Sequence, residues 1–241
     1  STSHAYVGGG DTPEVPRVPT GLLGCDWEAD AGSGLYRFAT IYRERDWNSE
    51  THAPLGEPGV AVKEGDYLLA VNGRPVKLPD NVYAAFVGTV DRQTTLTVGT
   101  SPGDKQPRTY TVQPVADEFS LRYTAWVAAN RQRVTAATGG RVAYIHVPNT
   151  SIAGIQEFSK QYFPQVDKQG LIVDERFNGG GFIPDFFVER LMLSTWTYWS
   201  SRDGATIRTP AAALDGPKCI LVNEYAGSGG DCFPYYFRQQ K

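Results

Sequence analysis

Lys218-Cys219-Ile220-Leu221-Val222-Asn223-Glu224-Tyr225-Ala226-Gly227-Ser228-Gly229-Gly230-Asp231-Cys232-Phe233 is an apolar run, a turn of small residues around one serine, and the start of an amphipathic stretch. Lys218 to Val222, mostly apolar and partly β-branched, reads as a buried strand. Ala226 to Gly230 carries no bulk, so the backbone can turn sharply, and Asp231 to Arg238 suits the first turns of a helix. This layout sets the Ser228 hydroxyl at a strand-to-helix corner beside free backbone N–H groups. Such groups can hold the oxyanion that forms when a carbonyl is attacked. The pattern is near G-x-S-x-G, with Ala226 in the first place. A glycine-rich turn capped by a serine is the plainer alternative.

Working outward, the same texture recurs upstream. Arg141 to Val147 reads as a strand, Ile152 to Tyr162 as a helix, and Gly170 to Phe177 as a second strand. Asn178-Gly179-Gly180-Gly181 is a turn, and Phe182 to Leu193 a further helix. Strands alternating with helices imply βαβ units and a mostly parallel sheet. Side by side in such a sheet, the turn at Asn178–Gly181 and the turn at Ala226–Gly230 share one crevice at the carboxyl ends of their strands. Ser228 would supply a nucleophile there. Amides near Gly180 or Gly181, with that of Gly229, would supply oxyanion donors. The glycine run is not a phosphate loop, because no Gly-Lys-Ser/Thr follows it.

The first half of the chain differs. Residues 1–20 are polar and rich in Gly and Pro, an extended connector that carries Ser3-His4. From 21 to 115 short alternating runs predict an all-β module, with strands at Leu35–Tyr42, Tyr67–Val71, Thr94–Val98 and Thr109–Val112. Pro79 to Val87 reads as a short helix with Asp80 as a possible N-cap. Gly65-Asp66-Tyr67-Leu68-Leu69-Ala70-Val71-Asn72-Gly73 closely resembles the core signature of PDZ domains, with Asn72-Gly73 suited to a tight hairpin turn. Gly21-Leu22-Leu23-Gly24 resembles that family's carboxylate-binding loop, which grips a peptide C-terminus through backbone amides. Residues 116–138 have helical periodicity, with Phe119, Tyr123, Trp126 and Val127 on one face.

Composition narrows the function classes. A net charge of −3 argues against a nucleic-acid surface. No apolar run approaches the ~18 residues of a membrane span. Three cysteines (Cys25, Cys219, Cys232) at no metal spacing read as buried or partly buried free thiols. The three histidines (His4, His52, His146) form no cluster with acids or thiols, so no metal is expected. A serine nucleophile still needs a base. His146, between Ile145 and Val147, reads as a core histidine. His52 sits in a Pro/Gly-rich loop. His4 by itself carries no signal. The chain begins at Ser1 and shows no signal peptide, so it reads as a piece of a longer precursor.

Three separated motifs carry a resemblance. The PDZ-like signature, Asp174-Glu175-Arg176-Phe177-Asn178-Gly179-Gly180-Gly181 and the Asn223–Asp231 turn together resemble the tail-specific serine peptidase family, within it the tricorn type. The resemblance implies a PDZ-like β-barrel module (21–115), a connecting helix (116–138) and an α/β peptidase domain (139–241) of crotonase-like, ββα-spiral type. It implies Ser228 as nucleophile, His4 as general base and Ser3 as a partner that orients the histidine. It further implies an oxyanion hole from Gly181 (or its neighbour Gly180) and Gly229, and peptide binding at Gly21, Leu22, Leu23 and Gly24. A peptide substrate, no cofactor and a homo-oligomer, hexameric in the family, are expected. So is a cytoplasmic location, with a periplasmic or extracellular one as the alternative. The family's glutamate partner of the histidine falls beyond Lys241, so the peptidase domain is expected to be incomplete at its C-terminus. Lys241 does not have the spacing of the family's Ser–Lys dyad. Asp203 lies where the family places an acid that selects basic side chains, although simple surface solvation also explains it.

Overall fold

A computed structural model describes residues 7–13, 15–43 and 52–240. The chain forms two compact units, one of Gly9–Trp126 and one taking in the residues from Val127 onward.

The first unit is an antiparallel sheet. Strands β1 (Cys25–Asp30), β2 (Leu35–Ile41), β3 (Tyr67–Val71), β4 (Arg74–Pro75), β5 (Thr94–Gly99) and β6 (Arg108–Val112) pair in the order β1-β2-β3-β5-β6, with β4 on β3. Alternation turns Phe38, Leu68, Leu96 and Val98 inward, where each is fully buried. Burial of each such side chain contributes roughly 1.5–3 kcal/mol. The expected strands are present. β1 has no sequence signal of its own, because its outer half (Glu28, Ala29) is exposed. The expected helix at Pro79–Val87 is a short 3-10 turn over Val82–Phe86. Its N-cap is Asn81, not Asp80, with the Asn81 side chain accepting from the Tyr83 amide.

Helix α1 (Phe119–Thr138) spans the division between the units. Its buried positions include Leu121 and Val127, whereas Phe119, expected to share a face with Val127, is 71% exposed and stacks on Tyr123.

The second unit contains β7 (Val142–His146), α2 (Ile152–Tyr162), β8 (Gly170–Asp174), α3 (Pro184–Leu191), β9 (Thr197–Trp199), β10 (Ile207–Thr209), β11 (Lys218–Leu221) and α4 (Gly229–Gln239). β8 is central in a parallel sheet of order β11-β8-β7. The register aligns His146 with Asp174 and Asp174 with Leu221, so all three strands finish at one level. Leu171 and Val173 of β8 pack with Phe158, Phe187 and Phe233 from α2, α3 and α4. The strand-like sequence runs on to Phe177, but β8 stops at Asp174. Beyond it Arg176 folds back onto that aspartate and Phe177 takes φ +64. The β9–β10 hairpin lies outside the sequence expectations, since Trp196, Tyr198, Trp199 and Ile207 are all exposed and give no inward alternation.

Candidate active site

The common carboxyl edge of β7, β8 and β11 carries three connections, and each contributes to one cluster. After β8, Asp174 is fully buried. Its Oδ2 accepts from Tyr144 Oη (2.6 Å) and Arg176 Nη2 (2.6 Å), and its Oδ1 from Arg176 Nε (2.9 Å). Burial opposes its charge, but the Arg176 and Tyr144 hydrogen bonds outweigh it and hold the carboxyl below its usual range.

Asn178, also fully buried, ties the connections together. Its amide side chain donates to Val147 O (3.0 Å) and accepts from Gly180 N (2.8 Å), and its carbonyl accepts from Gly227 N (3.1 Å). Thr150, after β7, donates its amide to Gly180 O (2.9 Å) and accepts from Ile183 N (3.1 Å). The Asn178 side chain and the Thr150 backbone thus fix the first glycine-rich turn, and the Asn178 carbonyl ties the second to it.

Ser228 stands immediately before α4 with φ 57 and ψ −118. That conformation is rare for a residue with a Cβ and costs on the order of 1–3 kcal/mol, which the surrounding bonds sustain. The amides of Asp231 and Cys232 donate to its carbonyl at 3.0 and 3.2 Å. The glycine turn approaches it backbone to backbone. A Cβ on Gly180 would lie 2.8 Å from the Ser228 Cβ. One on Gly229 would lie 2.1 Å from Thr150 Oγ1 and 2.2 Å from Gly181 O. Glycine is therefore required on both sides of the contact. Among the described residues, the amides of Gly181 and Gly229 donate to no acceptor, while that of Gly180 is committed to Asn178.

Residues 141–241 match the model of peptidase family S41, and residues 21–117 match that of the tricorn protease PDZ domain. The chain thus carries a segment that matches peptidase family S41. It is similar to the tricorn protease of Thermoplasma volcanium (33% identical over 237 residues, 98% of this chain and 23% of that protein). It is also similar to tricorn protease homolog 1 of Streptomyces coelicolor (35% identical over 233 residues, 95% of this chain and 21% of that protein). Among solved structures, the crystal structure of the tricorn protease superposes with a TM-score of 0.82 at 30% identity. That match covers 92% of this chain and 21% of that one. The chain thus spans under a quarter of the length of these relatives.

The S41 segment brings Ser228, Gly180, Gly181 and Gly229 together. Ser3 and His4 lie outside the described residues. His146 is 1% exposed, its Nε2 donates to Arg176 O (2.9 Å), and burial lowers its pKa, in keeping with a core histidine. His52 Nδ1 lies 3.2 Å from Glu57 Oε1. Cys25 is buried and Cys232 half-buried, but Cys219 is exposed, contrary to expectation, because it faces outward from edge strand β11. Asp203 lies in an exposed stretch. Among the described residues, no group of three or more His, Cys, Asp or Glu side chains is placed to hold a metal ion. None of their helices is long and apolar enough to cross a membrane.

In the PDZ-type unit, the amide of Gly21 donates to Phe86 O (2.9 Å) and that of Leu22 to Val115 O (2.8 Å), while Leu23 is buried in the core. The amide of Gly24 donates to a side-chain carboxylate, Glu118 Oε2, at 2.8 Å. Arg122 holds the other oxygen of Glu118 through Nε (2.8 Å) and Nη2 (2.6 Å), and reaches Asp26 Oδ1 (2.7 Å). The first turn of α1 also brings Leu121 so close that a Cβ on Gly24 would lie 2.5 Å from its Cδ2.

The residue that sequence reasoning passes over is Glu175. It sits between Asp174 and Arg176, is fully buried, and has no partner for either carboxyl oxygen among the described residues. Burial first, then Asp231 and Asp174, pushes its pKa up to about 8. Its position inside a run of strand-like residues, followed by a turn, is the available signal.

Proposed function

We propose that this chain carries a serine peptidase active site in which Ser228 attacks a peptide carbonyl with His4 as general base. The observation that carries the reading is the left-handed Ser228 at the start of α4, packed against a turn whose Gly181 amide, like that of Gly229, has no acceptor among the described residues. The Ser228 hydroxyl proton passes to His4 as Oγ bonds to the carbonyl carbon, and the carbonyl electron pair moves onto oxygen. The Gly181 and Gly229 amides receive that oxyanion. Collapse to an acyl-enzyme expels the amine, which leaves with the proton from His4. Water, deprotonated by His4, then releases the second product. Ser3 orients His4. The mechanism invokes no metal or cofactor.

The match of residues 141–241 to family S41 and the similarity to tricorn proteases support peptides as the substrate class. The family resemblance extends to a PDZ barrel, a crotonase-like peptidase domain, a homo-hexamer and a cytoplasmic location. A second reading makes the chain a peptide-binding module on an inactive scaffold, with Gly21-Leu22-Leu23-Gly24 gripping a terminal carboxylate. The hydrogen bonds already made by three of these four amides weigh against it.

The test is labelling with a fluorophosphonate, followed by mapping of the modified residue by mass spectrometry. The expected adduct is on Ser228, absent in Ser228→Ala and at least about tenfold slower to form in His4→Ala. An adduct elsewhere, or none in a folded chain, favours the binding-module reading.

A further inference from the structure

We propose that Glu175 is a positioning residue that keeps the two turns of the site together only while its carboxyl holds its proton. The inference rests on the reading of Ser228 as nucleophile for its catalytic consequence, but not for its structural one. The Glu175 main chain is fixed at both ends: its amide donates to Leu221 O (3.0 Å) and its carbonyl accepts from Asn178 N (3.0 Å). The side chain is thereby committed to the interior, where it is 0% exposed and neither oxygen has a partner among the described residues.

The charged groups acting on it are Asp231, in the first turn of α4, and Asp174, at the end of β8. Both are acids. The adjacent cation, Arg176, is turned onto Asp174, as is Tyr144 of β7, while His146 donates to the Arg176 carbonyl. A buried carboxyl without a cation or donors stays neutral, because ionisation would leave an unsolvated charge. With two carboxylates beside it, ionisation would also add repulsion across the junction of β8 and α4.

Relief requires water, and the backbone contacts between the two turns beside it are tight. Asn178, whose amide bonds to Glu175 itself, holds Gly180 and Gly227. Gly229 meets Gly181 and Thr150 without space for a methyl group. Hydrating Glu175 therefore separates the start of α4 from the glycine turn, and with it Ser228 from Gly181. The carboxyl keeps its proton up to about pH 8. Above that, the assembled fraction falls up to about tenfold per pH unit.

Two measurements on the 241-residue chain test this. The first is the rate of fluorophosphonate labelling from about pH 6 to 9.5, in wild type and in Glu175→Gln. The expected result is a wild-type rate that falls roughly thirtyfold between pH 7 and 9.5, and a variant without that alkaline limb. The second is hydrogen–deuterium exchange of segments 175–182 and 226–232 at about pH 6.5 and 9.5, in a Ser228→Ala background. It compares the chain that keeps Glu175 with Glu175→Gln and Glu175→Leu. The chain with Glu175 should lose protection at the higher pH relative to either neutral variant, and match them at the lower. Equal protection at both pH values overturns the inference, whatever the labelling shows. Lost protection without any labelling would uphold the inference and remove the nucleophile reading instead. Glu175→Leu keeps the test decisive should Glu175→Gln fail to fold.

Discussion

Two glutamates, one in each unit, sit in opposite electrostatic surroundings. Glu118, immediately before α1, accepts from the Gly24 amide and holds two hydrogen bonds from Arg122, which in turn reaches Asp26. Glu175 is more deeply buried and meets only other acids. The first is folded into a network of donors, the second is a carboxyl that the fold tolerates in its neutral form. Burial alone does not set the state of an acid. What decides it is whether donors and cations were folded in beside it.

The same substitution should therefore act with opposite sign at the two sites. Glu175→Gln should give the largest change. The folded carboxyl titrates near 8 and the unfolded one at its ordinary value of 4.5. Wild-type stability is thus fully present below about pH 4.5, falls as pH rises toward 8, and is level above that. The glutamine variant escapes this loss. Urea unfolding should find it more stable by on the order of 4 kcal/mol at pH 8, and nearly equal to wild type at about pH 4.5. A variant that is less stable at pH 8 would break the comparison.

Arg176→Ala should come next, at about 3 kcal/mol of lost stability, because it strands the fully buried Asp174. Asp174 has a lowered pKa in the fold, so the stability its ionisation contributes is present above its unfolded value of 3.8 and fades as pH falls. The difference between wild type and Arg176→Ala should therefore shrink in acid, as an unfolding series from about pH 7 to pH 3 can check. Glu118→Ala should cost about 2 kcal/mol through the orphaned Gly24 amide and the lost Arg122 bonds. Glu118→Gln should recover part of it, because an amide oxygen can still accept from Gly24; recovery of the full wild-type stability would mean that the charge of Glu118 contributes nothing. The smallest effect belongs to Tyr225→Ala. Tyr225 stacks on Phe177 with centroids 5.4 Å apart, but the two rings are 67% and 54% exposed. A loss within about 0.5 kcal/mol is expected in thermal unfolding.

Much of the architecture is legible locally. The strands of the first unit announce themselves by alternation and turn residues, and Asn72, with φ +48, and Gly73 form the expected turn. The two glycine-rich turns are legible because only small residues permit such backbone contact. The elements missed are β1, whose inward positions (Cys25, Trp27) are confined to its first half, and the β9–β10 hairpin, which has no buried face. Asn81 displaces Asp80 as the cap because capping depends on where the first turn begins, a matter of one residue. The carboxylate-binding loop is recognisable as a pattern, but the sequence does not disclose that its last glycine already holds a carboxylate.

By itself, then, the sequence determined the antiparallel module, the alternating strands and helices after it, and a serine at a tight strand-to-helix corner. These depend on side-chain period and on turn residues within a few positions of one another. Only the tertiary structure decided which amides near Ser228 lack acceptors, and which glutamate is a partnered carboxylate and which a stranded acid. Those properties come from groups far apart in the chain, as with Gly24 and Glu118, 94 residues apart. Burial and hydrogen-bond partners, which set the state of a polar group, exist only once such distant segments have packed.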